Sequence, residues 1–406
     1  MRGSGTSLIA KLEAVTPLFL GGADPRGQPE LRPPAFRGTL RYWLRAALGG
    51  VLGDADLAGL RQAEAQVFGS ASEHQAAASP VTVRIEGSSA LSTVNYSELT
   101  GGQQHRQQKR HTVRAGLAYL FFAARRTRWQ PERKALTGSF YLQLRLRPGQ
   151  SDGALQKAYA ALWLLTHLGG VGSRARRGAG AVQAVDQNFA PIPDLPLPVQ
   201  ARTPRQLVDE LQTGLRKIQQ VLGKAYSPDF QKPSEFDIIH PNTCRIWVLN
   251  RVYPQWYDAL DEIGRCFSEF RNRRRPDYEV LRGVIARNES LSQPVQRAAF
   301  GLPLPLYYRS LNQQVTLQSY RHDRRASPLV IRAVKLADGQ YTVLLVWFQS
   351  RFLPDGDKLV LKKDKAELAK GPVPGDTLIS TFITGPDPVK RSLRDRGLHL
   401  LQVTYG

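Results

Sequence analysis

The chain has 406 residues, 42% of them hydrophobic, which is enough for two ordinary domains with a core each. Its 56 Lys and Arg outnumber 34 Asp and Glu, giving a formal charge of +22 and a pI near 10.3, and such an imbalance calls for an anionic partner, nucleic acid or an anionic membrane. No apolar run approaches the roughly 18 residues that cross a bilayer and the start lacks a signal peptide's apolar core, which removes the membrane; Cys244 and Cys266 fit no zinc or redox spacing, which implies a cytoplasm.

In chain order, "LIAKLEAVTPLFL" alternates apolar and polar residues as a strand does and is closed by a Gly21-Gly22 turn. The stretch "LRPPAFRGTLRYWLRAALGG", Leu31 to Gly50, predicts a helix that sets Phe36, Leu40, Trp43, Leu44 and Leu48 on one face and Arg37, Arg41 and Arg45 on the next. Solvated helices interleave acids with their bases for i, i+4 pairing. There is no Asp or Glu from Leu31 to Gly53, so this cationic ridge has no partner within its own helix.

Three segments rich in β-branched or aromatic residues follow as strands, "VTVRIEG" (81–87), "TVRAGLAYLFFAAR" (112–125) and "SFYLQLRLRP" (139–148). Ser88 to His111 is polar and Gln-rich and reads as a mobile loop or protruding hairpin. A second helix fits "GALQKAYAALWLLTHLGG", with Leu155, Ala158, Leu162, Leu165 and Leu168 on one stripe, and "GAVQAV", Gly180 to Val185, is a last strand. The order strand, helix, strands, helix, strand is that of α+β, ferredoxin-like and RNA-recognition folds, with an antiparallel sheet covered by helices on one face.

Five prolines between Asn188 and Pro204 forbid helix interior and central strand, and mark a linker between domains 1–187 and 205–406. The second half loosely repeats the plan, with "CRIWVLNR" as strand, "WYDALDEIGRCFSEFRNRRR" as helix, a hairpin around Asp338-Gly339 and "GLHLLQVTYG" as the last strand.

The sharpest stretch is "GGVGSRARRGAGAV", Gly169 to Val182. Gly169, Gly170, Gly172, Gly178 and Gly180 surround Arg174, Arg176 and Arg177. Glycines let successive N–H groups converge on an anion, and arginines supply bidentate phosphate bonds, so the run suits a phosphate chain. A helix C-cap at Gly169 followed by an ordinary loop is the plainer alternative. It is neither a Walker loop nor a dinucleotide fingerprint. Alanines stand where the stacking aromatics of an RNA-recognition motif belong, so contact is expected with sugar and phosphate.

These residues together resemble the RAMP superfamily of CRISPR effector subunits. "TPLFLGG", "PELRPPAFRGTLRYWLRAAL" and "GGVGSRARRGAGAV" look like its three N-terminal hallmarks in order, and "FGLPL" and "RRASPLVIR" bring the likeness closest to the subunits numbered one of the type III-B module, over nearly the whole chain. Pro34 and Ala35 depart from the pattern, in which a serine commonly precedes the basic residue and glycine. The resemblance implies two ferredoxin-like domains and a place near the 3′ end of the guide RNA in a multisubunit RNA-targeting complex. Its implied partners are guide CRISPR RNA, target RNA and other type III effector subunits, and its implied task is binding, with no catalytic residue and no cofactor. The matched positions for RNA are Arg37, Gly38 and Arg41, with Arg45 on the same ridge, and Gly170, Gly172, Ser173, Arg174, Arg176, Arg177, Gly178 and Gly180 in the loop.

Two other functions compete. Backbone subunits of the superfamily that cut RNA use an aspartate after the first strand, and Asp24 occupies such a loop, where a metal-dependent ribonuclease would need it; the plainer reading is a turn-forming Asp before Pro25. His105, His111, His167, His240 and His322 have no partner in a recognisable motif, and metal-ligand spacing is absent. A protein scaffold with a basic surface would instead use "FGLPLPLYYRS" and "VLLVWFQSRFLP" as an interface. "FRNRRRP", 270–276, reads as either a second RNA contact or a solvated helix end.

Overall fold

The computed structural model describes residues 6–406 except 73–74, 88–89, 102–113, 224, 273–274 and 365. His105, His111 and most of the cationic end of "FRNRRRP" therefore lie outside the described residues. The protein is a mixed α/β chain with antiparallel sheets, divided into two compact units, 1–265 with 330–348 and 400–406, and 266–329 with 349–399.

The first unit opens with β1 (Ser7–Ala14), α1 (Pro33–Leu52), α2 (Leu57–Phe68), the short strands β2 (Ser70–Ser72) and β3 (Gln75–Ala77), and β4 (Val81–Glu86). Next come β5 (Leu91–Asn95), α3 (Tyr96–Thr100), α4 (Ala115–Leu120), β6 (Lys134–Leu146), α5 (Asp152–Leu168) and β7 (Val182–Gln187). Its first sheet runs β4-β6-β1-β7, with β1 antiparallel to both β6 and β7 and β4 antiparallel to β6. Leu8, Ala10 and Leu12 of β1 are buried while Ile9 is exposed, the two-residue period of a strand with one covered face. Pro33 opens α1, where a missing N–H costs nothing, and Phe36, Leu40, Trp43, Leu44 and Leu48 enter the core as the helical period requires.

After β7 the chain continues through α6 (Pro204–Leu222), β8 (Cys244–Leu249) and α7 (Trp256–Asn272), which reaches the unit boundary; β11 (Leu329–Lys335), β12 (Tyr341–Phe348) and β15 (Leu400–Val403) return to build a second sheet, β11-β12-β8-β15. Helix α5 packs on β6 and β7, α6 packs on β8 and β15, and α1, α5 and α6 pack on one another, so both sheets contribute to one apolar core. Residues 188–204 lie within this unit and bury Ile192, Leu195 and Leu197 in that same core.

The second unit holds α8 (Arg275–Arg287), β9 (Leu304–Tyr308), β10 (Gln313–Ser319), β13 (Leu359–Lys363), β14 (Ala366–Gly371) and α9 (Thr377–Thr384). Its sheet runs β14-β13-β10-β9 over a separate core that includes Leu281, Leu291, Leu302, Leu317 and Leu361, and Phe300 packs edge to face on both Phe267 and Phe382, which are tilted against each other.

One element differs from expectation. The described part of 112–125 is not a strand: it forms α4 and a single 3₁₀ turn, Phe122–Ala124. "AGLAYL" is made of strong helix formers apart from its glycine and tyrosine, and the Asp261 carboxylate accepts the N–H groups of Gly116 and Leu117, satisfying two first-turn donors. Gly116 is required there, since a Cβ would lie 1.9 Å from the Asp261 carbonyl oxygen. Within the polar stretch 88–111, the described residues include strand β5 and helix α3, whose Asn95–Glu98 capping box closes its first turn.

Candidate nucleic-acid interface

The three sequence motifs converge on one place. After β1 the chain passes Thr16-Pro17 and bridges the glycine loop backbone to backbone: Ser173 N–H donates to Phe19 O at 2.9 Å, Gly180 N–H to Pro17 O at 2.9 Å, and Ala181 N–H to the Thr16 hydroxyl at 2.9 Å. Helix α1 joins through Trp43, whose indole fills the space a Cβ on Gly169 would need, with Nε1 only 2.3 Å from that position. Gly172 and Gly180 sit at φ +90° and +71°, where side chains are strained, and a Cβ on Gly180 would lie 2.0 Å from the Val171 carbonyl oxygen. The loop is thus a fixed turn whose glycines allow close backbone packing.

The ridge on α1 has a partner after all, on the next helix. Glu64 of α2 is only 2% exposed and accepts from Arg41 Nε at 2.5 Å and Arg45 Nε at 2.7 Å. Arg37 donates to the Phe68 carbonyl at the end of α2, and Gly38 lies exposed beside it with open space at its Cβ position. The absence of acid in the ridge helix was readable in sequence; the acid 19 to 23 residues downstream was not, because pairing between helices leaves no local spacing signal. Three guanidinium groups against one carboxylate still leave this cluster cationic, with Arg37 and Arg45 exposed.

The loop arginines are also engaged, and one of them, Arg176, has an acid brought to it by the fold. Arg176 Nη2 lies 2.7 Å from Asp237 Oδ2 and 3.1 Å from the Tyr42 hydroxyl, which itself donates to the same carboxylate at 3.0 Å. Burial works against the Arg176 charge, but Tyr42 and Asp237 outweigh it and its pKa is raised; burial likewise drives the Tyr42 phenol well up, opposed by Arg176. Arg177 is only 7% exposed, and its backbone bridges Ile331 of β11. Arg174, at φ +66°, donates from Nε to Leu120 O at 2.7 Å, with its guanidinium 5.0 Å from the Phe122 ring. Gly170 packs within 3.1 Å (as a Cβ) of the Ala179 and Gly180 carbonyls, and Gly178 against Leu260, so both shape the loop from inside. Gly172 is exposed and Ser173 to Arg176 are half-buried, whereas Arg177 to Gly180 are buried.

One residue of the site was missed as such. Arg332 of β11, 1% exposed, donates to the carbonyls of Thr166 and Gly169 at the end of α5, and to Val182 O at 2.8 Å beyond the loop. Burial pulls its pKa down to about 9, which leaves it charged at neutral pH, placed where a helix C-terminus favours a cation. It pins both ends of the glycine loop.

Asp24 makes the turn expected of it, its carboxylate accepting from Arg26 N–H at 2.8 Å. Among the described residues no group of three or more His, Cys, Asp or Glu is placed to hold a metal. His167 is buried, stacked on Trp163 with Nδ1 2.9 Å from the Trp163 carbonyl, and His240 is buried with Nε2 3.1 Å from Ser227 O. No helix among the described residues is long and apolar enough to cross a membrane.

Residues 11–183, from β1 through the glycine loop, match the family model of the RAMP superfamily. The Cmr subunit Cmr1-2 of the CRISPR system of Pyrococcus furiosus is 31% identical over 189 residues, 43% of this chain and 93% of that protein. The chain belongs to the RAMP superfamily. A second relative, the Cmr subunit Cmr1-1 of the same organism, is 26% identical over 353 residues, 85% of this chain and 88% of that protein. The solved apo structure of Cmr1 from Pyrococcus furiosus shares the fold with a TM-score of 0.58 at 22% identity, over 86% of this chain and 90% of that one. The RAMP match ends where the glycine loop enters β7, so it spans all three motifs that the fold brings together.

Proposed function

We propose that this chain is a non-catalytic RNA-binding subunit of a type III-B CRISPR effector complex, acting in the cytoplasm in antiviral defence. It contacts guide RNA near its 3′ end, target RNA, or both, and docks on other type III effector subunits. The observation that carries the reading is a glycine-arginine loop fixed on the first-strand turn and on helix α1, with Arg37 and Arg45 exposed on that same helix, in a chain of net charge +22 whose relatives are named Cmr subunits. The contacting groups are Arg37, Gly38 and Arg45 on α1 and Gly172, Ser173 and Arg174 in the loop. Arg41, Gly170, Arg176, Arg177, Gly178 and Gly180 hold that surface in shape.

The same reading includes two ferredoxin-like modules sharing one core. Apart from β5, which also pairs β6, and the β2-β3 pair, the two main sheets of the first unit have the strand sequence second, third, first, fourth: β4-β6-β1-β7 and β11-β12-β8-β15. The first module lies before residues 188–204 and the second after them, interrupted by the two segments that form the second unit.

The test is RNA affinity against salt. On single strands log K falls with log salt with a slope of about −0.7 per neutralised phosphate. Arg37→Ala with Arg45→Ala is expected to flatten the slope by up to about 1.4 and weaken binding at low salt. Unchanged slope and affinity would defeat the reading. Metal-dependent RNA cleavage that disappears in Asp24→Ala would replace it with the nuclease.

A further inference from the structure

We propose that Trp129 is a base-stacking subsite for single-stranded RNA beside the glycine loop, an inference that rests on the RNA-binding reading above. Trp129 is 81% exposed, whereas Trp43, Trp163, Trp247 and Trp347 are all buried. An exposed indole offers a large flat apolar face for a partner, with an N–H at its edge.

The loop that carries it is built rather than loose. Thr127 N–H donates to Gln130 O at 3.0 Å, and Arg133 N–H to Ala124 O at 2.8 Å closes its base. Arg26, in the turn after β1, reaches across and donates to Ala123 O at 3.2 Å, Arg125 O at 3.0 Å and Pro131 O at 2.6 Å, clamping both arms. The Trp129 loop is therefore fastened to the same first-strand turn that holds Ser173.

Charge decides the class of occupant. The Arg128 guanidinium sits 4.7 Å from the Trp129 ring centroid, and Arg125 and Arg126 are exposed on the same loop. None of these three forms an ion pair among the described residues, and the nearby Glu132 is occupied by Ser97, accepting from its N–H and its hydroxyl at 2.8 Å each. Back toward the glycine loop stands Phe122, 38% exposed, beneath the Arg174 guanidinium. Two guanidinium–aromatic pairs, Arg174 with Phe122 and Arg128 with Trp129, thus stand on the one segment 122–129 and its loop neighbour. A nucleic-acid strand supplies phosphates for the arginines and base faces for the rings, in the manner of sequence-tolerant single-strand binding. RNA-recognition motifs stack bases on a sheet, whose stacking positions are alanines here; the aromatic surface has moved to a loop.

The test titrates the full chain with a 12-nucleotide mixed-sequence RNA and with an abasic ribose-phosphate oligomer of the same length, reading affinity and tryptophan emission. Trp129→Ala is expected to bind RNA roughly 10-fold more weakly, lose the emission quenching that RNA causes, bind the abasic oligomer as the wild type does, and keep its thermal midpoint. Trp129→Phe is expected to recover most of the affinity. Wild-type affinity for RNA in Trp129→Ala overturns the subsite while RNA binding stands, and if that variant also loses a copurifying subunit, the indole docks protein instead. A wild-type chain that fails to bind RNA overturns the RNA-binding reading and the subsite with it.

Discussion

At the scale of single residues, Glu64 sets how much of the basic ridge is available. A carboxylate as buried as this one is tolerated because two guanidinium groups hydrogen-bond it, and removing its charge leaves Arg41 and Arg45 partly exposed and unpaired with it. Glu64→Gln is expected to cost about 2 kcal/mol in urea unfolding, yet to tighten single-stranded RNA binding and steepen its salt slope. A variant that loses both stability and affinity would show that Glu64 instead aims the arginines at RNA. His240 makes a pH prediction. Burial lowers its pKa, partly offset by its bond to the Ser227 carbonyl, and it accepts from Asn242 N–H on Nδ1, which requires the neutral ring. The unfolded chain binds this proton near pH 6.5 and the folded chain only at lower pH. The stability it contributes is therefore complete above about pH 6.5 and lost as pH falls through the lowered value. Urea midpoints at pH 7.5 and 5.5 should differ less in His240→Gln than in the wild type.

Among the elements, the glycine loop is the most constrained. Gly180→Ala forces a Cβ at positive φ against the Val171 carbonyl, and is expected to cost roughly 3 kcal/mol in chemical unfolding; wild-type stability would mean that the turn can be rebuilt cheaply. Sequence pattern located β1, α1, β4, β6, α5 and β7: β1, α1 and β6 repeat their period within the element itself, while α5 is an apolar run long enough for a helix, buried all round from Ala158 to Leu168. It assigned a strand where α4 stands, since the Asp261 carboxylate that starts this helix lies some 145 residues away in sequence. It does not mark α6, although Thr203 caps it and Pro204 opens it, with Leu207, Leu211, Leu215 and Ile218 buried at helical spacing; the prolines just before it read as a linker. For the site the division is similar. The glycines and the ridge were legible as motifs, whereas Glu64, Asp237 and Arg332, which decide which arginines are free, lie on other elements and follow no local rule. The Asp237 partner of Arg176 was hidden for the same reason: a local run of like charge says nothing about an acid brought in by the fold.

At the scale of the molecule, the surplus charge acts in opposite directions on the free chain and on its complex. A net charge of +22 repels itself in the compact state, and that repulsion is screened as the Debye length shrinks to about 8 Å at physiological ionic strength. The free chain should therefore gain thermal stability as salt rises from 50 to 300 mM. RNA bound to the folded state alone adds about 2.7 kcal/mol when its concentration is 100 times Kd. For about four neutralised phosphates, however, affinity falls roughly 150-fold over the same salt range, which removes nearly all of that gain. Melting the chain with and without single-stranded RNA along this series should give two curves that start well apart and converge, the free one rising and the bound one flat or falling. An RNA-induced shift that holds constant with salt would place the contact on stacking and shape alone, and would leave the exposed arginines of α1 and the half-buried Arg174 of the glycine loop without a part in it.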